Sequence, residues 1–144
     1  WTQINNGLDS LETNILTVDP NDSETLYLGT DDDGVYKSTD GGESWKKLTV
    51  SSLSKSFGVG DIIVDPQNSN NIYIGTVDYF RLSESRGVLG DFGVYKSTDG
   101  GATWEEFNAG LNHLGVFSLE LSEENRILYA GTRAGGVYWI SLDN

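Results

Sequence analysis

Thr30 is followed by three carboxylates, Asp31, Asp32 and Asp33, and then by Gly34-Val35-Tyr36. Carboxylates grouped in one loop can exchange protons or hold a hard cation. A calcium site from Asp31 and Asp33 is one reading, although the full EF-hand spacing is absent. His113 is the only histidine and there is no cysteine. That excludes a convincing Ser–His–Asp relay, multi-histidine metal centres, thiolate metal sites and disulfides. No glycine-rich stretch follows a strand and opens a helix, so no nucleotide-binding motif is present. The expectation is a protein that needs no cofactor and no metal.

These residues are positioned by a repeat. Ser38-Thr39-Asp40-Gly41-Gly42-Glu43-Ser44-Trp45 returns as Ser97-Thr98-Asp99-Gly100-Gly101-Ala102-Thr103-Trp104. Tyr27-Leu28-Gly29-Thr30 returns as Tyr73-Ile74-Gly75-Thr76 and Tyr129-Ala130-Gly131-Thr132, and Gly34-Val35-Tyr36 as Gly93-Val94-Tyr95 and Gly136-Val137-Tyr138. Tyr27 and Tyr36 are 9 residues apart, as are Tyr129 and Tyr138, whereas Tyr73 and Tyr95 are 22 apart. The second repeat therefore carries an insertion, within Val77 to Phe92.

Each repeat reads as short strands a, b, c and d. Strand a is Ile15–Val18, Ile62–Val64 and Phe117–Leu121. Strand b is Leu26–Thr30 and its copies, strand c is Gly34–Ser38 and its copies, and strand d starts at Trp45 and Trp104. The runs are β-branched or alternating and end at turn residues, and none keeps a helical period. Four antiparallel strands per repeat of about 45 residues is the sequence form of a propeller blade. The expected fold is all-β, with three blades per chain: a strand d at 1–8, then blades at 9–53, 54–111 and 112–144.

The octamer pattern, Ser-x-Asp-x-Gly-x-Ser/Thr-Trp, resembles the Asp-box, or bacterial neuraminidase repeat, of sialidases, some endoglucanases, sortilin-type receptors and photosystem assembly factors. Its chemistry reads as structural. Ser38, Asp40, Ser97 and Asp99 are short polar side chains able to bond nearby backbone N–H groups. Gly42 and Gly101 permit backbone conformations closed to other residues, and Trp45 and Trp104 offer large apolar surfaces. The resemblance implies that the box lies away from any active site, on the face opposite the b–c loops.

The b–c loop face would collect Asp31, Asp32, Asp33, Arg133, the insertion Val77 to Phe92 with Asp78, and the loops around Phe57 to Asp61 and Asn112 to Leu114. Loops on a rigid scaffold carry most binding functions, and Tyr79, Phe80, Arg81, Arg86 and Phe92 are types that make contact hot spots. The leading reading is a non-catalytic module that recognises a glycan or a protein through this face. The rivals are a glycoside hydrolase and a purely architectural unit of a larger assembly.

Thr30-Asp31-Asp32-Asp33-Gly34-Val35-Tyr36 also resembles the b–c junction of xyloglucan-cleaving endoglucanases, which implies a catalytic role for Asp31. Glycosidases need two carboxyl groups across the scissile bond. The matching place holds Asp78 in the second repeat but Arg133 in the third. A sialidase-like site would need three arginines around a carboxylate. Arg81 and Arg86 share one loop, and Arg126 falls in the a–b turn on the other face.

The order of strands is d, abcd, abcd, abc. Three blades fall below the usual range for a closed ring, so the expectation is a homodimer of six blades, with Trp1–Ile4 of one copy pairing with Gly136–Ile140 of the other. An excised piece of a longer propeller is the alternative. The net charge of −13 opposes nucleic acid and anionic membranes, and no apolar run is long enough to cross a membrane. The family resemblance implies an extracellular or periplasmic location.

Overall fold

The structure is a computed structural model that describes residues 1–53, 57–78 and 91–143. Its eleven strands are β1 (Thr13–Asp19), β2 (Asp22–Thr30), β3 (Val35–Ser38), β4 (Lys46–Lys47), β5 (Gly58–Val64), β6 (Ile72–Val77), β7 (Val94–Ser97), β8 (Glu105–Glu106), β9 (Val116–Ser122), β10 (Ile127–Thr132) and β11 (Gly136–Ser141). They form three antiparallel sheets in the orders β1-β2-β3-β4, β5-β6-β7-β8 and β9-β10-β11. No helix of the described residues is long and apolar enough to cross a membrane.

The repeat register governs the pairing. Leu28 faces Tyr36 in the first sheet, Ile74 faces Tyr95 in the second, and Ala130 faces Tyr138 in the third. Strand d is short and regular: Tyr36 and Lys37 pair with Lys47 and Lys46, as Tyr95 and Lys96 pair with Glu106 and Glu105. The three glycines that open strand c, Gly34, Gly93 and Gly136, share a φ of 77°, 86° and 78°, which explains why glycine recurs there.

The blades stack face on face. One apolar cluster joins Tyr27 and Val35 of the first blade to Val59, Ile62 and Val64 of the second. A second joins Tyr73 and Val94 of the second blade to Val116, Leu119 and Leu121 of the third. Burial of such side chains stabilises the stack by about 1.5–3 kcal/mol each. The close approach requires glycine in strand b: a Cβ on Gly29 would lie 2.8 Å from Val59 Cβ, and one on Gly75 would lie 2.7 Å from Val116 Cγ1. Coverage on both faces makes β6 buried throughout, whereas β10, with the same repeat pattern but only one neighbouring blade, is partly open.

Trp1–Ile4 was expected as a strand d, and it forms no ladder in this structure. It nevertheless lies where a strand d belongs. Ile4 packs over Gly42 as Leu48 packs over Gly101, and the Ile4 carbonyl accepts from the Trp45 ring N–H at 2.8 Å. The segment thus has packing contacts and a hydrogen bond at the Ile4 carbonyl, but no strand pairing among the described residues.

Candidate functional site

The b–c loops are built by one repeated device. Thr30 Oγ1 donates to the Gly34 carbonyl at 2.9 Å, Thr76 Oγ1 to Gly93 at 2.9 Å, and Thr132 Oγ1 to Gly136 at 3.0 Å. Thr30 Oγ1 also accepts from Asp33 N at 2.9 Å, and Thr76 Oγ1 from Phe92 N at 3.0 Å. The second loop therefore leaves and rejoins its blade through the same bonds as the short first loop, and Asp78 N closes the neck on Asp91 Oδ1 at 2.9 Å.

Within the first loop the three carboxylates have different surroundings. Asp33 accepts from the Tyr36 hydroxyl and pairs with Lys47 of strand d. Burial first, and then this bond, push the Tyr36 phenol up to about 12. Asp33 is thus occupied within its own blade. The Asp31 amide donates to the Glu12 carbonyl at 2.9 Å. Asp31 Oδ1 is shielded from solvent and has no hydrogen-bond partner among the described residues. Such an oxygen is costly unless something else satisfies it.

Arg133 joins the second and third blades. Its backbone N–H donates to Gly115, its Nη2 donates to the Asp78 carbonyl at 2.6 Å, and its guanidinium lies 5.2 Å from the centre of the Phe117 ring. Asp78 itself is buried. Phe92, expected as a contact residue, packs against the core between the first two blades, and its carbonyl accepts from Asn108 Nδ2 at 3.0 Å. Tyr79, Phe80, Arg81 and Arg86 lie outside the described residues. His113 bonds the Tyr138 hydroxyl at 2.9 Å. Among the described residues no three His, Cys, Asp or Glu side chains are grouped to hold a metal ion.

Two acidic residues that the repeat pattern did not single out are Glu12, whose carbonyl holds the Asp31 amide, and Asp61. Asp61 Oδ2 accepts from Leu119 N at 2.8 Å, which latches β5 to β9, and burial pushes its carboxyl up. Its alignment with Ile15 and Ser118 in the strand pairing is the only signal: a charge where the other repeats have none.

The Asp-boxes are turn frameworks. Ser38 Oγ donates to Asp40 at 2.7 Å and accepts from Gly42 N at 2.9 Å, while Asp40 accepts from Ser44 N at 2.9 Å and Ser44 Oγ at 2.5 Å. Ser97, Asp99, Gly101 and Thr103 repeat the set at 2.8, 2.9, 2.8 and 2.5 Å. These hydrogen bonds hold both carboxyls down to about 2. Trp45 lies with Leu26, Leu28 and Tyr36, and Trp104 lies in the cluster between the first two blades.

Repeated antiparallel sheets stacked face on face, two of four strands closed by an Asp-box and one of three strands, define a β-propeller of the bacterial-neuraminidase-repeat type. The chain belongs to the Sortilin, neurotensin receptor 3 family, whose profile matches residues 1–138. It is 34% identical over 104 residues to a xyloglucanase of Paenibacillus sp, covering 62% of this chain and 10% of that protein. Xyloglucanase Xgh74A of Acetivibrio thermocellus is 31% identical over 134 residues, covering 85% of this chain and 15% of that one. The crystal structure of an ancestral GH74 enzyme superposes with a TM-score of 0.66 at 26% identity, over 92% of this chain and 15% of its own. The chain thus spans a small part of the length of these relatives.

Proposed function

We propose that the b–c loop face engages a xyloglucan-type polysaccharide and that Asp31 is an acidic group in its hydrolysis. The observation that carries this reading is the shielded, unpartnered Oδ1 of Asp31, beside an Asp33 that is already paired with Lys47. Asp31 as a residue is only half-buried, so its carboxyl stays within reach of a glycosidic oxygen laid against the loop, and a carboxyl whose inner oxygen lacks a partner is suited to exchange a proton there. Relatives named xyloglucanases support the choice of substrate. Hydrolysis needs a second carboxyl across the scissile bond. Asp78 is buried at the neck of the second loop, so the second group is expected from another part of the complete site. Such a protein acts where the polysaccharide is, outside the cell or in the periplasm.

Recognition without cleavage is the second reading, favoured by Arg133 in the place where a third carboxylate would stand. Both are tested by retention of the protein in a xyloglucan-containing native gel and by release of reducing ends, with Asp31→Asn beside the parent. Hydrolysis is supported by release that falls about 10²–10⁴-fold in the variant while retention persists. Retention without release assigns binding alone. No retention and no release overturns both.

A further inference from the structure

The two four-stranded blades differ in charge at one matched place. Lys37 of β3 pairs with Lys46 of β4, whereas their counterparts in the second blade, Lys96 and Glu105, form an opposite-charge pair. Directly opposed side chains of an antiparallel pair stand on one face of the sheet, where like charges destabilise and opposite charges stabilise. Neither Lys37 nor Lys46 makes an ion pair with a carboxylate among the described residues. The first blade therefore holds two uncompensated ammonium groups side by side, in a chain whose net charge is −13.

Both lysines line a cleft of about 510 Å³ between the first blade and the Asp-box of the second. That volume lies within the roughly 300–1,000 Å³ of small-molecule sites. The walls of the cleft belong to the two four-stranded sheets. Lys37 is held in place: its Nζ donates to the Gly100 carbonyl at 3.0 Å and lies 5.2 Å from the centre of the Tyr27 ring. An ammonium group has further N–H donors to offer beyond that bond. Lys46 is exposed and reaches the cleft from strand d. Among the described lining residues Asp99 is the only carboxylate, and its oxygens are taken up within its own turn by Ser97 and Thr103. The lining thus sets two positive charges against one negative. Trp45, Leu48 and Ala102 add apolar surface, and Thr39 and Ser44 add hydroxyls.

We propose that this cleft binds a sugar acid, a hexuronate unit of an acidic oligosaccharide, with its carboxylate between the ammonium groups of Lys37 and Lys46. An excess of a single positive charge suits a monoanion; a phosphate dianion would meet Asp99 with no further cation to offset it. Apolar surface beside hydroxyls suits a ring that has an apolar face and a hydroxyl edge, and an acidic peptide offers no such edge. Charge-assisted hydrogen bonds from both lysines hold the carboxylate. The bound anion gives the first blade the compensation that Glu105 gives the second. The Asp-box turns lie at the other end of strand c from the b–c loops, so the inference is independent of any action on polysaccharide there.

Isothermal titration calorimetry of the 144-residue protein with trigalacturonic acid at low ionic strength tests it, with maltotriose as the neutral control. Trigalacturonate is expected to bind, more weakly as salt is added, and maltotriose to give no binding heat. Lys46→Glu is expected to weaken binding about tenfold or more, as for the loss of a charge-assisted contact. Its melting temperature is expected to stay at or above that of the parent, because the substitution gives the first blade the Lys–Glu pair of the second. Should this variant not fold, Ala102→Glu decides. The first Asp-box carries Glu43 at that place, so the turn accepts it, and a second carboxylate in the lining is expected to expel the ligand. No binding of trigalacturonate, or binding that a folded variant leaves unchanged, overturns the proposal. Inorganic phosphate or a triglutamate peptide that binds as tightly as trigalacturonate overturns the assignment to a sugar acid.

Discussion

Arg126 grips Asp65 with both ends of its guanidinium, Nη1 to Oδ1 at 2.9 Å and Nη2 to Oδ2 at 2.6 Å, across the boundary between the second and third blades. The Asp65 side chain is fully buried. Burial alone would raise its carboxyl, but Arg126, together with Gln67 N–H and Asn71, holds it below the ordinary value. Arg126 reaches it from a backbone φ of 49° at the turn into β10. Removing one partner leaves an uncompensated buried charge, so Arg126→Ala is expected to cost about 3–5 kcal/mol. Replacing Asp65 and Arg126 together by apolar residues should cost distinctly less. Urea unfolding of the three proteins checks this; an R126A midpoint equal to that of the parent refutes it.

The tryptophans that end the Asp-boxes are core residues, and truncating either opens a large cavity. Trp45→Ala and Trp104→Ala should each destabilise by about 3–5 kcal/mol. Trp104 sits between blades, among Val50, Ile72 and Tyr95, so its loss is expected to loosen both blades at once. Hydrogen exchange should then rise in β2 and β3 as well as in β6 and β7. Exchange confined to one blade would place the tryptophan's role within that blade.

What the sequence made legible is what recurs. Tyr27, Tyr73 and Tyr129 mark strand b because its register repeats three times, and the glycines that open strand c mark a left-handed turn that only the backbone demands. The Asp-box could be read as a turn because its hydrogen bonds are local, between Ser38 and Ser44. The site was less legible because its contacts are not local. Asp33 and Phe92 hold the same position before their strand c tyrosines, yet Asp33 is taken by Lys47 from strand d, whereas Phe92 packs into the blade interface. Arg133 was expected to face a ligand, and its reach to the Asp78 carbonyl depends on how two blades stack. Spacing along one chain carries no information on that stacking.

The Asp-boxes also predict an acid limit. Asp40 and Asp99 titrate at about 2 in the folded protein against an ordinary 3.8, so between these values the unfolded chain binds more protons. Their contribution is complete above about pH 4 and is lost as pH falls toward 2. Asp65 acts in the same direction and Asp61, whose carboxyl is raised by burial, in the opposite one. Melting temperature should therefore fall steeply from pH 4 to 2, and less steeply in an Asp40→Asn, Asp99→Asn double variant. Parallel curves for the two proteins would remove the boxes from the acid response.

The insertion in the second blade is expected to be dispensable for folding. Thr76 meets Gly93 through the bond that joins Thr30 to Gly34, at the same 2.9 Å, although 16 residues lie between the first pair and 3 between the second. The blade is therefore closed by the neck rather than by what the neck carries. Asp91 and Phe92 belong to that neck, the first through Asp78 N and the second through Thr76 Oγ1 and the core. Replacing residues 79–90 by a short glycine-rich link while keeping Asp78, Asp91 and Phe92 should leave the urea midpoint close to that of the parent, since lengthening or shortening a loop changes its closure cost only slowly. The same replacement should weaken retention on xyloglucan if Tyr79, Phe80, Arg81 and Arg86 contact the polymer. Loss of cooperative unfolding would make the segment structural, and unchanged retention would remove those four residues from the binding face.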